Sequence, residues 1–226
     1  MDEKIGWLAP MEKLIRDSIS GYTGSSSATS VRIPILGICF GGQLIAKAVY
    51  GRDAVGKMSR GEFGYRKIEL IEQETCPLFE GLPGTFYTVM SHNDCFRSDE
   101  IRSLAKSEAW GIQAFQVAAP DSDPRPCVWG LQFHPEITRR DFEDICKGVN
   151  LDQALIVNES EQPEDFSLRE IVAKNFVGMV SELYSSPRIR SSDGKAPPQQ
   201  KKQQQREKSN STKKSKAQKR KSKDEN

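Results

Sequence analysis

Pro34-Ile35-Leu36-Gly37-Ile38-Cys39-Phe40-Gly41-Gly42-Gln43 is the stretch that decides the fold. An apolar run stops at a cysteine flanked by glycines, and the pattern that follows is helical, so the stretch predicts a strand, a sharp turn and a helix. Gly37-Ile38-Cys39-Phe40-Gly41 fits the G-x-nucleophile-x-G elbow. In this elbow small residues allow a strained turn to lift the nucleophile above the sheet. Cys39 is the predicted nucleophile.

The start of a helix suits a reactive cysteine. Unpaired N–H groups and the positive end of the helix dipole favour the thiolate, which is the reactive form of the sulfur. The backbone N–H of Phe40 is expected to stabilise the oxyanion of an attacked carbonyl. Taken alone, Cys39 also fits a buried structural cysteine between a core strand and its helix.

A second apolar strand, within Val128-Trp129-Gly130-Leu131-Gln132-Phe133-His134-Pro135-Glu136, ends at one of the two histidines in the chain. Pro135 disfavours helix at His134 and keeps it extended, so the imidazole and the Glu136 carboxylate are able to face the same side. A nucleophilic cysteine needs such a base, and the base needs a carboxylate to fix its tautomer and orientation. A satisfied histidine at a strand end is the alternative. The two stretches together favour catalysis.

The paired motifs resemble the class I glutamine amidotransferase-like hydrolases. Gly37-Ile38-Cys39-Phe40-Gly41-Gly42-Gln43 and Gly130-Leu131-Gln132-Phe133-His134-Pro135-Glu136 carry the resemblance, which extends over residues 2–184. It implies a flavodoxin-like, doubly wound α/β sheet. Ala173-Lys174-Asn175-Phe176, in the last predicted helix, is similar to the stand-alone GMP-synthase-like and γ-glutamyl peptidase branch of that family.

The resemblance also implies roles for single residues. Cys39, His134 and Glu136 correspond to the catalytic triad, and Gln43 to a residue that contacts the γ-glutamyl substrate. Ser91-His92-Asn93-Asp94 is similar to a family segment at the rim of the active site, so His92 is expected to shape the substrate pocket. The predicted substrate contacts are Phe40, Gly41, Gln43 and His92.

His92 has other interpretations. It is a candidate second base, or with Asp94 and Cys95 a candidate metal ligand, although a zinc site needs three or four protein ligands and His134 is the other imidazole. A hydrogen-bonded loop histidine fits equally well. Neither a metal nor an organic cofactor is expected.

The chain differs from the family pattern at its start. Members begin with strands that carry a glycine-containing loop, whose N–H is the second oxyanion donor, whereas this chain opens at the helix that follows. A sheet without its first strands is therefore expected. Loss of one oxyanion donor lowers the rate about 100- to 1,000-fold in a serine hydrolase. Truncation is the interpretation we favour over an inactive relative, because the downstream motifs are intact.

Charge divides the 226 residues into two parts. Residues 186–226 contain 14 Lys/Arg and 4 Asp/Glu, which leaves 19 and 27 for residues 1–185, so the net charges are +10 and −8. The predicted domains are an amidotransferase-like domain at 1–184 and a disordered tail at 185–226, rich in Lys, Gln and Ser and too polar to form a core. Clusters at 213–216 and 219–223 fit an import signal, weak salt-dependent nucleic acid contact or a merely solvated tail.

The remaining composition indicates an intracellular protein. Five cysteines form no CxxC pair, the first residues lack a signal-peptide core, and no apolar run approaches the length of a membrane span. The predicted location is the cytoplasm or, through the basic clusters, the nucleus. No P-loop or GxGxxG motif is present in the sequence, so no ATP-using domain is expected here.

Periodicity and turn residues predict the remaining elements. Ser167 with Glu170 predicts a capping box. The predicted helices span 6–18, 40–50, 136–146 and 167–184, and the predicted strands lie within 51–70, 86–90, 101–105, 111–117 and 127–133.

These features predict a cysteine hydrolase that cleaves a γ-glutamyl amide or peptide bond through a Cys39 thioester. One alternative is a glutaminase subunit that supplies ammonia to a separate synthetase. A second is an inactive relative that acts as a binding module through its basic tail.

Overall fold

The computed structural model describes residues 6–20, 32–71, 76–119, 127–148 and 167–185. All of them belong to one compact unit, Met1–Ser186. The predicted loop at 21–30, the acidic linker at 158–163 and, after Ser185, the basic tail lie outside the described residues.

Four α-helices and six strands occur in the described part of the chain. The bounds in chain order are α1 Leu8–Ser20, β1 Ile35–Ile38, α2 Phe40–Tyr50, β2 Val55–Leu70, β3 Thr85–Phe96, β4 Ser103–Lys106, β5 Ala114–Gln116, β6 Val128–Leu131, α3 Arg139–Gly148 and α4 Leu168–Ser185. Short 3₁₀ turns lie at Arg52–Ala54 and Pro77–Phe79.

The six strands form one sheet in the order β1-β6-β5-β4-β2-β3. β1 and β6 are parallel, with Gly37 opposite Gly130, and the other neighbouring strands are antiparallel. Among the described strands β1 has one neighbour and lies at an edge of the sheet. The parallel pair brings the carboxyl ends of β1 and β6 together, which is where Cys39 and His134 follow.

Helices cover both faces of the sheet, as an α/β fold requires. Leu8 and Leu44, from α1 and α2, pack with Val128 on one face. Leu168, from α4, packs with Trp129 and Leu131 on the other face. Side chains along β6 alternate between these two clusters, as the period of a strand dictates. The α/β fold expected from the sequence is confirmed.

The third strand is longer than predicted. The segment Ser91–Asp94, which we expected to close the strand, continues β3 as far as Phe96. The cause is β2, whose 16 residues pair with β3 on both sides of a bulge between Lys57 and Glu62. His92 is therefore a strand residue opposite Glu62 rather than a loop residue.

The third helix begins later than predicted, at Arg139 instead of Glu136. Thr138 caps it: the N–H of Asp141 donates to Thr138 Oγ1 at 3.1 Å, and the N–H of Thr138 donates to Asp141 Oδ2 at 3.0 Å. This reciprocal capping fixes the start of the helix. Glu136 stays outside the helix, where its side chain reaches His134.

The last helix has the cap and the packing face that the sequence indicates. The N–H of Glu170 donates to Ser167 Oγ at 3.3 Å. Val172 is buried against the sheet, and Asn175 Nδ2 donates to the carbonyls of Leu78 and Glu80 at 3.1 and 2.8 Å. Within the described residues, no helix combines the length and the apolar character needed to cross a membrane.

Candidate active site

Cys39 occupies the turn between β1 and α2. Its φ of 50° and ψ of −106° make it the only non-glycine residue with positive φ in the described part of the chain. The N–H of Cys39 donates to Leu131 O at 2.7 Å, and its carbonyl accepts the N–H of Gln43 at 3.0 Å. Such strained backbone costs about 1–3 kcal/mol and persists only where its surroundings hold it. Here β6 and the first turn of α2 hold it.

Two glycines make this turn sterically possible. A Cβ on Gly37 would lie 2.6 Å from the carbonyl oxygen of Gly41, and a Cβ on Gly42 would lie 2.8 Å from Leu131 O. Both distances are shorter than van der Waals contact, so neither position accepts a side chain without displacement. A Cβ on Gly41 would meet no atom within 4 Å. The open space beside Gly41 lies two residues after the cysteine.

Phe40 and Gly41 begin α2 directly after Cys39. Their N–H groups belong to the first turn, where a helix provides no internal acceptor. The Phe40 ring is exposed and lies edge-on to Trp7, with 5.9 Å between ring centroids. The ring therefore points away from the core while the backbone N–H groups remain at the helix start.

His134 is held between two strands. Its N–H donates to Val89 O at 2.9 Å, and its carbonyl accepts the Thr88 hydroxyl at 3.2 Å. These bonds join the segment after β6 to β3, across from the elbow. Pro135, which is buried, follows at once and keeps the backbone extended at His134.

The imidazole lies between a carboxylate and the cysteine. His134 Nδ1 is 2.7 Å from Glu136 Oε1. Nε2 is buried and has no hydrogen-bond partner of ordinary geometry among the described residues. The interaction with Cys39, followed by that with Glu136, raises the pKa of His134 to about 9 against the opposing effect of burial. At neutral pH the ring is an imidazolium beside the sulfur.

Two groups from other strands contact the Cys39 sulfur. Gln132 Nε2 donates to Sγ at 3.7 Å, and the Ser91 carbonyl lies 3.9 Å from it. Both contacts were missed in the sequence. Gln132 stands two positions before His134 in the second motif, and this proximity is the one signal that pointed to it.

Gln43 faces inward from α2 and is buried. Its Nε2 lies 3.3 Å from both Asp94 O and Gln132 Oε1. The two N–H groups of its amide are therefore used within the protein. The predicted substrate contact of Gln43 would have to come from its Oε1.

His92 does not lie in a loop at the rim, as we expected, but in β3, with 4% of its surface exposed. His92 Nδ1 is 2.9 Å from Asp94 O, and Nε2 is 3.4 Å from Glu62 Oε2. Burial raises the pKa of Glu62, but hydrogen bonds from His92, Ser107 and Gln113 outweigh it and lower that pKa. His92 belongs to a buried polar cluster behind the sulfur.

The metal alternative for His92 finds no ligand set. Among the residues that the structure describes, no group of three or more His, Cys, Asp or Glu side chains is arranged to hold a metal ion. Cys95, which would have been a ligand, donates to Gly56 O at 3.3 Å.

Comparison with known proteins places this geometry in a family. The sequence profile of glutamine amidotransferase class-I matches residues 23–146. The GMP synthase (glutamine-hydrolysing) of Borreliella burgdorferi is 33% identical over 157 residues, which are 62% of this chain and 29% of that protein. A glutamine-hydrolysing GMP synthase subunit of Methanococcus maripaludis is 32% identical over 151 residues, which are 60% of this chain and 74% of that protein. The chain thus spans less than a third of the first relative.

The fold gives the same result. A glutamine amidotransferase from Thermotoga maritima superposes with a TM-score of 0.54 at 21% identity, covering 81% of this chain and 72% of that one. A glutamine amidotransferase from Methylobacillus flagellatus superposes with a TM-score of 0.50 at 20% identity, covering 87% and 76%. With the sequence profile matching more than half of its residues, the chain belongs to the class I glutamine amidotransferase family.

Proposed function

We propose that this chain hydrolyses the γ-glutamyl amide of glutamine through a thioester on Cys39, with His134 and Glu136 as the other members of a catalytic triad. One observation carries the proposal: a cysteine in strained backbone at a helix start lies beside an imidazole that a carboxylate holds at 2.7 Å. Membership of the amidotransferase family supports the choice of glutamine.

The first half-reaction forms the thioester. The Cys39 thiolate attacks the side-chain carbonyl carbon of glutamine, and the N–H of Phe40 stabilises the oxyanion. When the tetrahedral intermediate collapses, the C–N bond breaks and His134, as imidazolium, donates its proton to the departing nitrogen. Ammonia leaves, and the glutamyl group remains bonded to sulfur.

The second half-reaction releases glutamate. His134, now neutral, takes a proton from water, and the oxygen of that water attacks the thioester carbon. The C–S bond breaks, which restores the thiolate beside an imidazolium. Glu136 keeps Nδ1 protonated throughout and so presents Nε2 to the reacting atoms. One water is consumed, and one glutamate and one ammonia are formed.

A separate synthetase is the partner we propose for the ammonia. One relative is a whole glutamine-hydrolysing GMP synthase and the other is a single GMP synthase subunit, of which the aligned part spans 74%. A γ-glutamyl peptidase is the second candidate, because Ala173-Lys174-Asn175-Phe176 is similar to that branch. In the structure Asn175 fixes this helix to the carbonyls of Leu78 and Glu80.

Glutamate release tests both candidates. The purified chain and its Cys39→Ala variant are incubated with glutamine, glutathione and γ-glutamyl dipeptides, and γ-glutamyl adducts are followed by mass spectrometry. We expect release and an adduct from the chain but neither from the variant. The best substrate separates a glutaminase from a peptidase. A folded chain that gives neither product, alone or with a synthetase present, would leave the binding-module interpretation.

A further inference from the structure

A chain of buried amides leads from a strand carbonyl to the Cys39 sulfur. Asp94 O contacts Gln43 Nε2 at 3.3 Å, Gln43 Nε2 contacts Gln132 Oε1 at 3.3 Å, and Gln132 Nε2 contacts Cys39 Sγ at 3.7 Å. Gln132 is fully buried, and its backbone N–H is fixed by Gln113 O at 2.8 Å.

The donors and acceptors along this chain point in one direction. A backbone carbonyl only accepts hydrogen bonds, so Gln43 must present its NH₂ group to Asp94. The second N–H of that group then meets Gln132, which must present its oxygen. The NH₂ group of Gln132 is therefore left for the sulfur. His92 Nδ1 also lies 2.9 Å from Asp94 O and fixes that carbonyl from the other side.

The two polar neighbours of the sulfur favour different protonation states. The Ser91 carbonyl, at 3.9 Å, accepts a hydrogen bond from a thiol but offers nothing to a thiolate. The Gln132 amide donates, and a thiolate is the better acceptor because hydrogen bonds to charged groups are stronger. His134, backed by Glu136, is the titratable group that faces the sulfur.

We propose that Gln132 is a positioning residue that holds the Cys39 sulfur as a thiolate by donating an amide N–H, with the direction of that amide set by Asp94 through Gln43. The proposal rests on the proposed function for the use made of the thiolate. The hydrogen-bond direction itself does not depend on the substrate.

The pH profile of Cys39 alkylation tests the proposal directly. Iodoacetamide modifies thiolates, and the other four cysteines are buried, so the label is expected on Cys39, which a Cys39→Ser variant checks. Gln132→Glu keeps the oxygen that Gln43 needs but turns a carboxylate oxygen to the sulfur. Gln132→Met removes the donor without adding charge.

A matched control is available at Gln116, whose Oε1 accepts the Trp129 indole N–H at 3.0 Å. Gln116→Glu introduces the same change of side chain and also keeps its accepted hydrogen bond. We expect its alkylation profile to match that of the unmodified chain. For Gln132→Glu we expect the midpoint to rise by about one pH unit or more, with alkylation at pH 7 slower by about tenfold. Gln132→Met should shift it less, in the same direction.

A purely structural role for Gln132 would lower the unfolding temperature of both variants without moving the alkylation midpoint, and that result would overturn the proposal. Should a variant not fold, the unmodified chain decides the question by NMR. The side-chain amide resonance of Gln132 must shift when Cys39 is alkylated, and an unmoved resonance would contradict the contact. Shifted midpoints without glutamine hydrolysis would sink only the proposed function, whereas hydrolysis with unshifted midpoints would sink only the role of Gln132.

Discussion

His134 joins the electrostatics of the site to its chemistry. Its pKa of about 9 lies above the ordinary value of 6.5, so the ring keeps its proton at neutral pH and loses it as the pH rises through about 9. An acid that must protonate a departing nitrogen is useful only while it holds that proton. In glutamine hydrolysis we therefore expect kcat/KM to fall on the alkaline side near pH 9.

Glu136→Gln tests this explanation. The carboxylate is the second-largest cause of the raised pKa, so its removal should move the alkaline limb down by about one pH unit and lower kcat by about 10²- to 10⁴-fold. Glu143→Gln, which removes a carboxylate 3.0 Å from Arg139 on α3, is the control and should leave the limb in place. Equal limbs in Glu136→Gln and the unmodified chain would refute the assignment of His134 as the acid.

Gly41 and Gly42 are neighbours with opposite steric requirements. Gly42→Ala would place a Cβ 2.8 Å from Leu131 O and 3.1 Å from the Phe96 ring, so we expect a destabilisation of about 1–3 kcal/mol. Gly41→Ala meets no atom and should leave stability unchanged or raise it by up to about 1 kcal/mol, the gain from alanine in a helix. Chemical denaturation of both variants measures the difference. Similar losses in both would contradict this packing of the elbow.

Gly41→Ala also probes the predicted substrate contact at that position. Its new methyl group would fill space that is open beside the nucleophile. If glutamine enters there, KM should rise in a variant that remains fully folded. An unchanged KM would remove Gly41 from the substrate contacts.

At the scale of elements, α4 depends on a narrow packing face. Val172 is buried in the core that α4 shares with the sheet, whereas Val177 on the same helix is 61% exposed. Val172→Ala should lower the free energy of unfolding by about 2 kcal/mol, because it removes buried methyl groups and leaves a cavity. Val177→Ala should change it by less than about 0.5 kcal/mol. Comparable effects would show that this helix does not pack on the sheet as described.

Local signals predicted the elements whose limits are local. The helix at Phe40–Tyr50 was predicted with its observed bounds, because a cysteine elbow starts it and Gly51 ends it. The start of α3 was predicted three residues early, since Thr138 and Asp141 were not recognised as its cap. β3 was cut short because its continuation depends on pairing with β2, a partner about 30 residues away in sequence for His92.

The site shows the same division. His134 and Glu136 are two residues apart, so their contact followed from a single motif. The contacts of Cys39 with Ser91 and Gln132 span 52 and 93 residues. Such contacts depend on which strands are neighbours in the sheet, and one sequence does not specify that. His92 was placed at the rim for the same reason, although pairing with Glu62 buries it.

At the scale of the whole molecule, charge separates the α/β unit from the C-terminal segment. Residues 1–185 carry a net charge of −8 and residues 186–226 carry +10. An acidic surface repels phosphates, so any affinity for nucleic acid should reside in the basic segment and fall steeply with salt.

Truncation after Ser186 therefore separates two properties of the chain. The shortened protein retains the compact unit that contains every described residue, so its unfolding temperature and its Cys39-dependent glutamate release should equal those of the full chain. Retention on a single-stranded nucleic acid column at low salt should disappear, because the remaining residues carry net negative charge. Replacing the Lys and Arg residues at 213–216 and 219–223 with Gln is the control that keeps the length, and it should weaken retention in proportion to the charge removed. Retention that survives truncation would place a nucleic acid site on the α/β unit, and activity lost with the segment would contradict a catalytic domain that ends near residue 184.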